Sequence, residues 1–581
     1  MRKLILTLFY FLGFLFLHSQ TPPTVYVAGD GSGDFNCDGI NDQEEINLAL
    51  DFVATHQDYS TVYLKGQNTY WISEPILIAS NTILTGDSTA IVRVIDYAGW
   101  TENEPMIAQK GCEYWPGGIN ESDLGTQIYG LDKDSLTNVE ISGFELTAGN
   151  QSAETGSWYY ILMIFHLVKN IKIHDMYLHD SYGDFIRIMG TSWTISQNAE
   201  FYNNKMEAPG HDALYIVGIS NIMVYKNQIY HTRTNDGIRL EECRNVFVND
   251  NIIGNNTNEL PSGYAGILLE NDGVFLENAE ISYNFIYGKC GAIVLEGGPT
   301  KDYQLGVHIH HNKIFRIFDN TASDADFLNG GIHIFGAHNT LIEFNTIVGS
   351  QKDGIIFELG EGTDTGYQTY VQNNIITDCE NFGINNLSSE NTFILEYNDI
   401  YNCESGYYNN ANSNTDIHLN PLLNKGIETT QPDSVDFHLK SEAGRWNGFE
   451  WVEDDITSPC IDAANPLSNY ENEPLPNGGR ANIGAYGNTN EASKSISSGI
   501  HNKTNKNVSL IYPNPTSEKV VFPKVEKNKR YRIINSIGQV VREGKIIENN
   551  LDIGTLSKGV YFIQIFQADR NKYKVYKVMR W

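Results

Sequence analysis

One short segment recurs down the middle of the chain. GDFIRI (183–188), HDALYI (211–216), NDGIRL (235–240), YAGILL (264–269), CGAIVL (290–295), NGGIHI (329–334), KDGIIF (352–357) and NFGINN (381–386) align, and each trails a partner segment such as NIKIHDMYLHD, NIMVYKNQIYH or NTLIEFNTIVG. The period is about 22–30 residues, stretched where loops are inserted. Each unit holds two or three short alternating strands parted by Asn, Asp or Gly, with no helical periodicity. A repeat of this size cannot bury its own apolar side, so its copies must stack into a solenoid. Strand–turn–strand–turn units without a helical half predict a right-handed parallel β-helix rather than a leucine-rich repeat. Its coils would lie about 4.8 Å apart, so equivalent residues form ladders along the surface.

The flanking segments fit the same all-β architecture. MRKLILTLFYFLGFLFLHSQ (1–20) has a basic start, a short apolar run and a polar end, the pattern of a cleaved signal peptide. Residues 21–130 read as an N-terminal cap and first coils, with VYVAGDGSGDFNCDGINDQEEINLALDFV giving a strand, an acidic turn and an amphipathic helix. The β-helix body spans 131–490 and ends in a closing segment, WVEDDITSPCIDAANPL to NGGRANIGAYGN. A polar linker (491–508) leads to alternating strands over 509–581 that predict a small β-sandwich.

The charge is uneven. The chain has 40 basic and 71 acidic residues; residues 501–581 hold 16 basic and 6 acidic, a net of +10, and residues 21–500 carry −43. Such a body repels nucleic acid and anionic membranes, and any anionic polymer must meet a local basic patch. No later run suits a membrane span. Seven scattered cysteines without a C-x-x-C argue against a disulfide framework and a zinc site, and predict mostly buried thiols.

Chemistry-bearing residues gather in a few coils. In NDGIRLEE, Ile238 and Leu240 point inward, so Arg239 and Glu241 point out. The same outward column through neighbouring coils reads Arg187, Tyr215, Arg239, Leu268, Val294, His333. The next reads Met189, Val217, Glu241, Glu270, Glu296, Phe335, Glu358. At the turn before the strand stand Asp184, Asp212, Asp236 and Asp353, and one strand further back His179, Glu207 and His231. Tyr177, Tyr182, Tyr215, Tyr230 and Tyr264 lie nearby, as a sugar-stacking groove needs. Asp and Asn before Gly are ordinary turn formers, so each aspartate has a structural explanation. Stacked glutamates do not: they repel unless they bind a cation, share protons or face arginine.

Glycoside hydrolysis needs a carboxyl acid and a second carboxylate, about 5–5.5 Å apart for retention and about 6.5–9.5 Å for inversion. Adjacent coils offer roughly the first spacing and coils two apart the second. Asp212 with Asp236, or Glu241 with Glu270, could form that pair, with His211 tuning the acid and Arg233 and Arg239 holding a sulfate or carboxylate. Arg187, His179, His231, Tyr215, Asp184 and Glu296 would line the substrate site. Lysis would instead need a base and a neutraliser for a uronate, which His211, His231, Arg233 and Arg239 could supply. No cofactor is required. Calcium is the ion left open, because DFNCDGINDQEE places Asp34, Asn36, Asp38 and Glu45 at EF-hand spacing, against a simpler role as an acidic helix-capping turn.

Two resemblances sharpen these expectations. YPNP (512–515), GQVV (538–541) and LSKGVYF (556–562), with a basic last strand, resemble the type A C-terminal sorting domain of the type IX secretion system of Bacteroidota. That implies export by that machinery, to the medium or the cell surface. The segments from VYVAGDGSGDFNCDGINDQEEINLAL through IHDMYLHDSYGD, GHDALYI and RTNDGIRL, over roughly 24–260, and the closing segment 437–490, resemble the disaggregatase-related β-helix proteins of methanogen cell surfaces. The resemblance implies an endo-acting enzyme on a complex anionic polysaccharide, with GHD (210–212) and RTNDGIR (233–239) as the places to carry function. The polygalacturonase pattern is not intact, since GHD replaces G-H-G. The expectation is therefore a monomeric, secreted glycoside hydrolase, with a polysaccharide lyase on the same face or a non-catalytic glycan-binding adhesin as alternatives.

Overall fold

The computed structural model describes residues 23–56, 58–100, 104–110, 136–154, 156, 159–190, 196–255, 265–271, 277–297, 305–318, 330–335, 340–358, 369–387, 393–496, 518–522, 529–535, 540–548, 550–566 and 573–580. The expected signal peptide, Cys112, Tyr264 and most of the linker lie outside them.

Three long parallel sheets of 14, 12 and 12 strands run along the body, and after the first two strands each takes every third strand of the chain. One coil is Ser220–Tyr225 in the first sheet, Gln228–Tyr230 in the second and Ile238–Glu241 in the third. Successive coils stack in register, as in Leu214↔Ile238↔Ile267↔Ile293 along the third sheet. Inward Ile, Leu and Val side chains from all three sheets form one continuous core. Each such side chain stabilises the fold by about 1.5–3 kcal/mol, which is why the alternating pattern repeats so strictly.

From the coil of Leu136–Ser142 onward the turn between the first and second sheets is two residues long, and from Asn204 onward chemistry explains the recurring Asn. The first residue has a left-handed backbone, as at Asn203, Lys226, Asp250 and Tyr283. The second is a buried asparagine: Asn204, Asn227, Asn251, Asn284, Asn312, Asn345, Asn374 and Asn398. The Oδ1 of Asn251 accepts both the backbone N–H and the Nδ2 of Asn227 at 3.0 Å, and Asn227 Nδ2 also donates to the Phe201 carbonyl. The pattern climbs coil by coil and ends on the carboxylate of Asp416. Only a side chain that both donates and accepts can pair these buried backbone groups.

The connections beside the third sheet vary instead. Those leading into it span six residues before Leu214, ten before Ala265 and three before Gly291. Its outward residues are nevertheless buried. Tyr215 is 1 %, Val294 1 % and His333 2 % exposed, whereas Met223 and Phe247 on the first sheet are 42 % and 43 % exposed. Polar groups on the third sheet therefore sit in a low dielectric, where charges and protonation states shift easily.

The helix Gln43–Thr55 buries Ile46, Ala49, Leu50 and Val53 over the first coils, as its amphipathic pattern predicts. At the other end, Phe437 packs on Tyr287, Phe315 and Val348 of the second sheet, so the closing segment covers that face. The C-terminal strands form a four-stranded and a two-stranded antiparallel sheet around Val520, Phe522, Ile533 and Ile563.

Candidate functional site

The site begins as a turn. Two residues before the inward Ile or Leu of each third-sheet strand stand Asp184, Asp212 and Asp236, in register. One carboxylate oxygen of each accepts the backbone N–H of the same position one coil on: Asp212 at 3.0 Å, Asp236 at 2.8 Å and Ala265 at 2.6 Å. Asp353 does the same for Phe382 at 2.8 Å. The turn-forming role anticipated for these aspartates is real, and it occupies half of each carboxyl group.

The same carboxylates also build a network. Asp184 pairs with the buried Arg187, 2.6 Å to Nε. His211 Nδ1 lies 3.0 Å from both Asp184 Oδ1 and Asp212 Oδ2. Asn235 Nδ2 donates to Asp212 Oδ2 at 3.0 Å. Burial opposes the charge on His211, yet Asp212 and Asp184 outweigh it and raise its pKa to about 10. Burial would raise Asp184 too, but the Arg187 charge and the His211 hydrogen bond hold it well below the usual carboxylate range. Asp236 goes the other way. Burial and then the charge on Asp212 push it up to about 7, against the Ala265 amide, Arg239 and Lys289. The three aspartates are buried, while the His211 side chain is 23 % exposed, so His211 is where this cluster meets solvent.

The outward columns fall as anticipated. Arg187↔Tyr215↔Arg239↔Leu268↔Val294↔His333 is one register line and Met189↔Val217↔Glu241↔Glu270↔Glu296↔Phe335 the next. The Tyr215 ring lies between two guanidinium groups, Arg187 at 5.0 Å and Arg239 at 4.6 Å. Its hydroxyl donates to Glu241 at 2.9 Å. Arg239 holds Glu270 through Nε at 2.8 Å and Nη2 at 2.7 Å, and reaches Glu241 at 3.4 Å. In the glutamate ladder, Glu241 and Glu270 face arginine, as one of the three anticipated reliefs requires.

Other candidates lie apart. His179 is bound to Glu145 and Asp180 on and beside the second sheet. Arg233 is tied to Asp180 and the Ser181 carbonyl. His231 is not in the His179–Glu207 column: Glu207 pairs with Tyr230, and His231 takes the next position, the left-handed corner that Asp180 and Ala208 hold in the preceding coils. Asp34, Asn36, Asp38 and Glu45 do not assemble as an EF-hand. Phe35–Asn36 pairs as a strand with Thr24–Ala28, Asp34 accepts the Tyr26 amide, Asn36 the Gly33 amide and Asp38 the Ile40 amide. Glu45 lies instead beside Cys37 and Asp42. Two residues of the site escaped sequence reasoning, Asn235 and Lys289. Asn235 was hidden in a turn motif. Lys289 stands between Gly288 and Cys290, where only its oddity, a lone lysine before the inward run GAIVL, marks it.

Comparison with known proteins places the chain. Residues 276–464 match the family described as disaggregatase related, residues 135–314 the right-handed β-helix region, and residues 510–579 the secretion system C-terminal sorting domain. The chain thus carries a β-helix, part of which resembles the disaggregatase-related family, and a sorting tail. The disaggregatase-related match lies downstream of the expected 24–260, so GHD and RTNDGIR fall within the β-helix match alone. The sorting tail marks a type IX secretion substrate, secreted or held at the cell surface. No curated protein matches in sequence. Among solved structures, the A-module of a mannuronan C-5 epimerase of Azotobacter vinelandii is 13 % identical over 68 % of this chain and 100 % of its own, with a TM-score of 0.42. A surface adhesin of Streptococcus pneumoniae is 14 % identical over 72 % and 96 %, at 0.40. A polygalacturonase of Erwinia carotovora is 12 % identical over 69 % and 98 %, at 0.37. At such identities the likeness concerns fold alone. No helix among the described residues is long and apolar enough to cross a membrane.

Proposed function

We propose that this protein is a secreted, endo-acting glycoside hydrolase of an anionic polysaccharide, with Asp236 as general acid and Asp212 as its partner carboxylate. The observation that carries the proposal is the contrast between the surroundings of two stacked carboxyl groups. Asp212 accepts N–H bonds from Asp236, Asn235 and His211, which suit an anion, while Asp236 is pushed up to about 7 and keeps its proton near neutrality. A carboxyl that keeps its proton beside a carboxylate ringed by N–H donors is the arrangement an acid and its partner need. They stand on adjacent coils, about 4.8 Å apart, close to the spacing used for retention. Both are buried, so the proposal requires the sugar to seat against His211 for the acid to reach a bridging oxygen.

Hydrolysis is favoured over lysis because His211, held at about 10, is a cation at neutral pH and a poor base. The arginines are already engaged, Arg187 by Asp184 and Arg239 by Glu270, which leaves His211 and the partly exposed edges of Arg239 and Arg233 for a sulfate or carboxylate. The adhesin alternative predicts binding without product.

The test is a screen of the mature chain against fucoidans, carrageenans, alginate, pectin and chondroitin, reading reducing ends and unsaturated uronate together. Reducing ends alone, with D236N and D212N each lowering kcat by about 10²–10⁴, would support the assignment. Unsaturated product would make the protein a lyase. Full activity in both variants would remove the carboxylate pair from the mechanism.

A further inference from the structure

Lys289 is fully buried. Its Nζ donates to Thr232 Oγ1 at 3.1 Å and to the Asn235 carbonyl at 3.3 Å, both in the turn that carries Asp236. These contacts skip a coil. Lys289 lies in the three-residue connection Gly288–Cys290 between Phe285–Tyr287 and Gly291–Gly297. The coil between it and Asp236 has a ten-residue connection, 255–264, at the equivalent corner. The lysine thus occupies interior space two coils from its own backbone.

A buried ammonium bonded only to neutral oxygens is costly unless a counter-charge stands close. Burial lowers the pKa of Lys289, and Asp236, Cys290 and Asp212 oppose that effect. Seen from Asp236, the charged groups facing it are Asp212 from the preceding coil, Arg239 three residues on in its own strand, and Lys289 from two coils ahead, with His211 bound to Asp212.

We propose that Lys289 is a positioning residue of the candidate site, bracing the 232–236 turn through Thr232 and Asn235 and supplying the counter-charge beneath the Asp212–Asp236 pair. This rests on Asp236 being the acid of the site. The lysine then does two things. It fixes the turn on which Asn235 holds Asp212, and its charge lowers the pH at which Asp236 surrenders its proton. Without its charge Asp236 stays protonated to higher pH, so the alkaline limb of activity moves up.

The experiment is difference infrared spectroscopy of the full mature chain against D236N, following the protonated-carboxyl band with pH. The band is expected to fade near pH 7 in the wild type and at a higher pH in K289M, as loss of a neighbouring opposite charge dictates. K289Q, which keeps N–H donors for Thr232 and Asn235 but not the charge, should give the same shift if K289M does not fold. A band that fades at the same pH with and without the lysine charge would overturn the proposal. So would a chain that fails to fold in both variants, which would make Lys289 a packing residue only. The two readings fail separately. If D236N is fully active while the band shifts, the acid assignment falls and the Lys289 coupling stands; if D236N is inactive and the band does not move, the reverse holds.

Discussion

Replacing Asp236 by asparagine should separate stability from activity, and the size of the effect follows from the site. The carboxyl is held up to about 7 in the folded chain against an ordinary value of 3.8. Because the folded pKa is the higher one, the stability this group allows is whole below pH 3.8 and is lost as pH climbs through about 7. Roughly three units, at about 1.4 kcal/mol each, make a loss of about 4 kcal/mol between pH 4 and pH 8. An asparagine at the same place still accepts the Ala265 N–H through its Oδ1 and cannot ionise. Thermal melts of wild type and D236N across pH 4–9 should therefore diverge. D236N should become the more stable by several degrees above pH 7, taking about 2 °C per kcal/mol as an upper conversion for so large a body. Titrations common to both chains cancel in the difference. A difference that stays flat across this range would refute the claim that Asp236 is protonated at neutrality, and with it the acid assignment.

Further outcomes follow from the same contacts. His211 has its pKa raised from 6.5 to about 10, so its contribution is whole below pH 6.5 and drains as pH rises through about 10. Wild type should lose about 2–4 kcal/mol relative to H211Q between pH 7 and pH 10, after allowing for the exposed edge of the ring; parallel melting curves would argue against the double Asp184–Asp212 contact. In the asparagine ladder, N284A leaves the buried Asn251 backbone and side-chain donors without their acceptor and strips donors from Asn312 and the Val248 carbonyl. A cost of about 3–5 kcal/mol is expected in denaturant unfolding, and a cost under about 1 kcal/mol would show that the ladder is ornamental to stability.

What the sequence determined by itself was whatever stacks in register. Parallel coils place equivalent residues of successive repeats side by side, so aligning NDGIRL with HDALYI already put Arg239 beside Tyr215 and Glu241 beside Val217. The repeat also announced its turns, because from Asn204 to Asn398 the corner between the first and second sheets keeps one length, two residues, and one side chain that satisfies it, asparagine. Tertiary structure decided the rest, wherever chain length varied or contact skipped a coil. His231 falls one position outside the expected column, because Tyr230 pairs with Glu207 and His231 takes the left-handed corner of Asp180 and Ala208. The EF-hand spacing dissolved once Phe35–Asn36 paired as a strand and claimed the backbone around it. Lys289 reached the site from 54 residues beyond Asn235, a contact that no column predicts. The protonation of Asp236 likewise arises from burial and from neighbours that only folding brings together. Register carries sequence directly into space, whereas dielectric, and cations that cross between coils, exist only once the solenoid has closed.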